Sequence, residues 1–150
     1  MSYHIRKALP IDAKAISDCI RESFEKYVSI IRKEPEPMTL DYIEVIKNEH
    51  VFILEEDSEV VGAIVLSDGD ESFMWIEVLG VCNKYQNKGF GKMLIEFGET
   101  VMRERGAKES HIKTNVKFER VIQIYKHLDY EEYDRKTERG YDRVFLRKTL

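Results

Sequence analysis

The stretch Leu79-Gly80-Val81-Cys82-Asn83-Lys84-Tyr85-Gln86-Asn87-Lys88-Gly89-Phe90-Gly91-Lys92 joins a β-rich apolar run to a polar loop, then to a helix-patterned segment with two glycines in its first turn. A helix that starts there presents unpaired N–H groups and the positive end of its dipole, and both attract phosphate oxygens. Gly89 and Gly91 leave the backbone open to close approach, while Lys84, Lys88 and Lys92 add positive charge. The junction reads as a site for a phosphate-bearing ligand. The plainer alternative is that the glycines serve only a tight strand-to-helix turn. Two other phosphate loops do not fit the residues. A Walker loop requires Gly-Lys-Ser/Thr after an upstream glycine at fixed spacing, but Gly91-Lys92 is followed by Met93 and that glycine is missing. A dinucleotide fingerprint wants a third glycine where Leu94 stands.

The pattern on either side of this junction is consistent with one α/β domain over residues 1–150. Residues 3–8 read as a short strand, and Pro10 opens a helix where a missing N–H costs nothing. Ile11, Ala15, Ile16, Cys19, Ile20, Ser23, Phe24, Tyr27, Val28 and Ile31 form its apolar face. Pro35-Glu36-Pro37 is expected to stop it, and Thr39 to cap a shorter helix carrying Leu40, Ile43 and Ile46. Residues 51–55 and 59–66 predict a hairpin about Asp57-Ser58, and residues 67–72 a second turn into a long strand over 73–82. Phe90, Met93, Leu94, Phe97, Val101 and Met102 stripe a helix closed by Gly106. A strand over 110–114 follows, then a helix carrying Phe118, Val121, Ile122, Tyr125 and Leu128, then a hairpin of residues 130–135 and 141–146. The sum is β-α-α-β-β-β-α-β-α-β-β, a mixed sheet with helices on both sides.

Composition excludes several classes. The chain has 150 residues, 43% hydrophobic and 35% charged, with three prolines and eight glycines, unlike disordered or low-complexity sequences. Lys+Arg 24 against Asp+Glu 28 gives a net charge of −4, so no global basic field invites nucleic acid. Apolar stretches fall short of the roughly 20 residues a membrane span needs, and the start Met1-Ser2-Tyr3-His4-Ile5-Arg6-Lys7 has no apolar leader core. Cys19 and Cys82 lie far apart with no histidine at ligand spacing, and His4, His50, His111 and His127 show none either. The expectation is reduced thiols, no metal and a soluble cytoplasmic protein.

Gln86-x-x-Gly89-x-Gly91, after a long strand and before an amphipathic helix, resembles the pyrophosphate motif of the GNAT superfamily of N-acetyltransferases. The resemblance covers almost the whole chain, including Asn115, Ile124-Tyr125 and Leu128-Asp129-Tyr130 near the C-terminus, and is to the small bacterial and archaeal members. It implies a mostly antiparallel sheet of six to seven strands, flanked by four helices, with two parallel central strands splayed apart. Acetyl-coenzyme A would lie between those strands as co-substrate. Backbone at Leu79, Gly80 and Val81 would meet the pantetheine arm, as a strand edge meets a peptide, and one of these N–H groups would polarise the thioester carbonyl. Amides of Asn87, Lys88, Gly89, Phe90, Gly91 and Lys92 would hold the pyrophosphate, with Asn115 a further contact. Tyr125 holds the family's place for the acid that protonates the departing thiolate. Read from the residues alone, it also fits as a core tyrosine.

The amine acceptor needs a base. An alkylamine with a pKa near 10.4 is neutral in only about one molecule in 2,500 at pH 7. Glu77 is the one acid in the long strand, among Trp75, Ile76, Val78 and Leu79. Simple alternation places it on the face of Trp75, Leu79 and Val81, in apolar company that favours its neutral form. A structural ion pair or a solvated glutamate is the competing reading. Two positions depart from the family pattern: Asp129 precedes Tyr130 where glycine is common, and Phe118 and Val121 stand where an asparagine is usual. Glu34, Glu36, Met38, Asp68, Asp70 and Glu71 read as ordinary solvated turns or as an acidic rim that attracts a cationic small-molecule or peptide amine, and the interleaved charges of residues 131–148 read as a solvated hairpin. The resemblance also allows a homodimer through the late strands. A non-catalytic acyl-coenzyme A sensor on the same scaffold is the alternative function, and a general nucleotide-binding domain a third.

Overall fold

The computed structural model describes residues 2–150; Met1, with which the reading of the N-terminal start began, lies outside the described residues. Seven strands form one sheet: β1 (Tyr3–Lys7), β2 (His50–Glu56), β3 (Glu59–Asp68), β4 (Phe73–Val81), β5 (Glu109–Asn115), β6 (Glu131–Glu138) and β7 (Tyr141–Thr149). Their order is β1-β2-β3-β4-β5-β7-β6, antiparallel throughout except where β4 and β5 run parallel. The helices are α1 (Ala13–Phe24), α2 (Val28–Ile31), α3 (Tyr42–Asn48), α4 (Phe90–Glu104) and α5 (Glu119–His127). α1 and α3 pack Ile16, Ile20 and Tyr42 against Val51, Ile53, Ala63, Val65 and Val78 on one face. On the other, α4 and α5 bury Leu94, Ile95, Met102, Ile122 and Tyr125 against Leu54, Ile64, Ile76, Ile112, Val144 and Leu146.

The feature that shapes the molecule is where β4 and β5 part. They pair only from Phe73 with Glu109 to Ile76 with Ile112. Beyond that point β4 stays with β3 up to Val81, and β5 stays with β7 up to Asn115. A wedge opens between the two parallel strands. At its apex Val65 pairs with Val78 but Leu66 with Ile76, so Glu77 is the extra residue of a β-bulge.

That bulge corrects the alternation expected for Glu77. Met74 and Ile76 precede it on the α4/α5 face, and Leu79 and Val81 follow it on that same face. Glu77 instead bonds Ser67, which alternates with Val65 of the α1/α3 face. Glu77 therefore shares a side with Trp75, but not with Leu79 and Val81. One inserted residue reverses the phase of a period-two pattern.

Local boundaries differ in instructive ways. The expected first helix is α1 and α2 joined by a 3-10 turn over Glu25–Tyr27, and it stops at Ile31, where Arg32 takes φ 61°, rather than at the prolines; Pro35 precedes a separate 3-10 turn that contains Pro37. Ile11 is 87% exposed, outside the expected face, and Ala15 is exposed too. Asp41, not Thr39, caps α3, accepting from Ile43 N at 3.1 Å, while the Thr39 hydroxyl bonds Glu36 O. The hairpin at Asp57-Ser58 forms as expected, both residues at positive φ (48° and 69°), which suits the twist of the flanking strands. No helix among the described residues is long and apolar enough to cross a membrane.

One buried polar network supports the wedge from beneath. Tyr130, 2% exposed, sets its ring 5.6 Å from that of Tyr125 and its hydroxyl 2.8 Å from both Glu99 Oε2 and Ser110 Oγ. Lys148 Nζ closes on Glu99 at 3.0 Å, so α4, β5 and β7 are tied at one point. Removing the hydroxyl leaves a buried carboxylate and a serine short of a partner. Tyr130→Phe is expected to destabilise the protein by about 1–3 kcal/mol, read as a lower urea midpoint with unchanged m-value.

Candidate active site

The wedge continues into a cleft of about 660 Å³. β4 supplies one wall from Ile76 to Val81, and β5 the other from Ile112 to Asn115. The loop before α4, the start of α4, and Val121, Ile124 and Tyr125 of α5 complete it. Glu77, Leu79, Gly80, Val81, Asn87, Gly89, Phe90, Gly91, Lys92, Asn115 and Tyr125 all line this one cavity. Lys88 does not; its side chain is exposed outside the cleft, which leaves it only its main-chain amide to offer.

Where β4 lacks a neighbour, its backbone groups face the cleft. Cys82 N donates to Val61 O at 2.8 Å, so alternation turns the amides of Gly80 and Cys82 toward β3 and those of Leu79 and Val81 away from it. The Val81 carbonyl indeed accepts from Gln86 Nε2 at 2.9 Å rather than from β3. Gly80 is a glycine for another reason. A Cβ there would lie 2.5 Å from Ile20 Cδ1, so a larger residue would have to displace that buried methyl.

The α4 N-terminus has the character expected of an anion cradle. Met93 N bonds Gly89 O at 3.1 Å, and before it the amides from Asn87 to Lys92 find no protein acceptor among the described residues. Gly89 caps the helix at φ 86°, a conformation that costs any L-residue, and Asn87 shares positive φ at 63°. Gly91 is different: its φ is not positive, and a Cβ built on it meets nothing within 4 Å. The packing of the fold gives no reason for that glycine, and the helix end beside it is open to close approach. Phe90, which also lines the cleft, sets its ring 4.7 Å from that of Tyr3.

Tyr125 is 5% exposed, and its hydroxyl bonds no other described residue although it lines the cleft. Burial pushes its phenol well above the usual value. Glu77 is half-buried and accepts from Ser67 Oγ at 2.7 Å, a polar partner in place of the expected apolar surroundings. Asn115 Oδ1 accepts from Lys117 N at 2.9 Å, so its side-chain oxygen shapes the turn into α5.

Several lining residues escaped the sequence reading. Arg120 Nη2 reaches Asn87 Oδ1 at 2.5 Å and bridges α5 to the loop. Tyr27 stacks on Phe118 at 4.1 Å, so part of the first helix's apolar stripe faces the cleft rather than the core. The β6–β7 hairpin is also not merely solvated: Arg139, Tyr141 and Arg143 line the cavity. Arg139 Nε and Arg143 Nη2 clamp Glu36 at 2.8 and 2.9 Å, and hydrogen bonding from Arg139 holds its carboxyl below the ordinary range. Other acids of the expected rim are also engaged, Glu34 by Arg21 and Asp68 by His50. Contacts spanning more than a hundred positions leave no local pattern to read. Among the described residues, no group of three or more His, Cys, Asp or Glu side chains is placed to hold a metal.

The model of the GNAT acetyltransferase family matches residues 15–130. This chain belongs to that family. It is an acyltransferase with acetyl-coenzyme A as its co-substrate. An uncharacterised N-acetyltransferase of Chlorobaculum tepidum is 27% identical over 132 residues, 87% of this chain and 77% of that one. The PaiA N-acetyltransferase of Thermoplasma acidophilum, crystallised with coenzyme A, superposes with a TM-score of 0.85 at 21% identity over the full length of both chains. A GNAT family acetyltransferase of Elizabethkingia anophelis with bound acetyl-coenzyme A gives 0.71 at 16% identity, over 99% of this chain and 98% of that one. At these identities the two structures establish the fold, a GNAT sheet with its parallel pair at β4 and β5.

The two loop glycines can be told apart by experiment. Gly91→Ala is expected to leave the unliganded protein as stable as before, or more stable by up to about 1 kcal/mol, because alanine is the better helix former. The same change should weaken acetyl-coenzyme A binding at least tenfold by calorimetry. Equal affinity would mean that the ligand does not cross the helix end there.

Proposed function

We propose that the protein is an N-acetyltransferase in which a primary amine, free or on a peptide, attacks the acetyl-coenzyme A thioester directly within a ternary complex. The observation that carries this reading is the convergence on one cleft of the unpaired β4 backbone, the free amides before Met93 and the Tyr125 hydroxyl. Diphosphate oxygens on the amides of Asn87 to Lys92 and pantetheine amides along Leu79 and Val81 would bring the thioester to the apex of the wedge. Main-chain N–H groups there stabilise the oxyanion that forms as the amine adds. Cys19 and Cys82 are absent from the cavity lining, so no acetyl-cysteine intermediate is invoked.

Two proton movements remain. The arriving ammonium must lose a proton, and Glu77, or a water it orients, is the proposed base; its bulge position sets it at the start of the opening between β4 and β5. The Ser67 hydroxyl occupies one of its oxygens and steadies the carboxylate. As the tetrahedral adduct collapses, coenzyme A leaves as a thiolate, and Tyr125 is the proposed acid. Its raised pKa keeps it a donor at neutral pH. The enclosure that raises the phenol also makes an unprotonated thiolate costly, so the two shifts run in the same direction.

A panel of primary amines mixed with acetyl-coenzyme A and the protein should release free thiol with at least one acceptor class. Tight binding of acetyl-coenzyme A without turnover across the panel would support a sensor instead. Tyr125→Phe is expected to lower kcat roughly 100-fold while the KM for acetyl-coenzyme A stays within about threefold. Glu77→Gln should lower kcat by a similar factor and leave a residual rate that climbs with pH as the amine deprotonates in solution. Unchanged turnover in either variant removes that residue from the mechanism.

A further inference from the structure

The two cysteines, 63 positions apart in the chain, meet. Cys82 Sγ lies 2.6 Å from Cys19 Sγ, closer than unbonded sulfurs ordinarily rest, although both thiols are free. Each is enclosed, Cys19 at 3% and Cys82 at 8% exposure, and neither belongs to the cleft lining. Their place in the fold is specific. Cys82 is the residue between β4 and the phosphate loop, and Cys19 lies on the face of α1 turned toward that loop. The same face continues the contact: Glu22 Oε1 accepts from Asn83 N at 3.0 Å, and Lys26 Nζ donates to Gln86 Oε1 at 2.9 Å. Three successive turns thus clasp the loop, and the sulfur pair is the innermost link.

We propose that Cys19 and Cys82 form a redox-active pair, oxidised by hydroperoxides to an intramolecular disulfide that fastens α1 to the base of the phosphate loop. Cys82 is the attacking sulfur. It is the more exposed of the two, and contact with the neighbouring thiol favours its thiolate, whereas Cys19 is pushed upward by that same contact and by burial. Cys82 attacks one hydroperoxide oxygen, the O–O bond breaks, and an alcohol or water leaves with the sulfur now a sulfenic acid. Cys19 then displaces the hydroxyl, the S–S bond forms and water departs. Two thiols lose two hydrogens and two electrons, which the hydroperoxide accepts. Because the sulfurs already touch, bond formation needs little movement of either element. The cross-link closes a long loop of chain, the circumstance in which a disulfide restrains the unfolded state most.

The test uses the full-length protein treated with hydrogen peroxide, quenched, unfolded and alkylated. The expected product has lost the mass of two hydrogens, takes up no alkylating reagent and yields a linked peptide pair containing Cys19 and Cys82. Its Tm should rise by about 5–15 °C, and dithiothreitol should reverse the rise. In Cys19→Ser, the same treatment should oxidise Cys82 alone or not at all, without a rise in Tm. Two alkylatable thiols after treatment, sulfinic acid without the linked peptides, disulfide-joined dimers, or a comparable Tm rise in Cys19→Ser would each overturn the proposal.

Discussion

The candidate site depends on two parallel strands that stop pairing halfway along their length. A buried backbone N–H or carbonyl without a partner costs about 1–3 kcal/mol, so a sheet does not part without something to face the exposed edges. Here β4 and β5 each keep their outer neighbours and lose only one another. The parting makes a cleft whose walls are main chain, with donors and acceptors at strand spacing. A ligand built from consecutive amides, followed by a diphosphate, matches such a wall and the helix end beyond it. The bulge at Glu77 sits where the strands begin to part, and the extra residue it inserts turns a carboxylate toward the opposite side of the sheet from Leu79 and Val81.

The glycines around the cleft divide their work by physical reason. Gly89 supplies a left-handed conformation, Gly91 supplies open space, and Gly80 leaves room for the buried Ile20 methyl of α1. The apolar stripe of α1 holds the sheet, its flank clasps the loop before α4, and the turn that follows presents Tyr27 to the cleft. One segment therefore links the core, the glycine loop and one wall of the cleft. That wall is further shaped by the Glu36 clamp, which joins the 3-10 turn before α3 to the β6–β7 hairpin.

Much of this was legible in the residues because the signals are local. The strand-to-helix glycine loop, the Asp57-Ser58 hairpin, the stripes of α4 and α5 and the order of elements all depend on neighbours within a few positions. Periodicity and turn chemistry carry that information directly. Family resemblance then marked Tyr125 and the residues of the phosphate loop, and the structure brings all of these but the Lys88 side chain to one cavity. The misplacements have local causes too: Arg32 could end a helix ahead of two prolines, and Asp41 could cap in place of Thr39, since several residues nearby satisfy the same rule.

The sequence by itself determined the class of fold, the order of its elements and the location of the glycine-bearing turn before α4, since each follows from short-range patterns of burial, charge and backbone freedom. Only the tertiary structure decided which side Glu77 faces, that Arg139 and Arg143 reach across to Glu36, and that Cys19 touches Cys82. Those outcomes depend on strand register and on long-range packing. A one-residue bulge reverses a face and a chain reversal unites distant positions, and neither leaves a trace in local spacing.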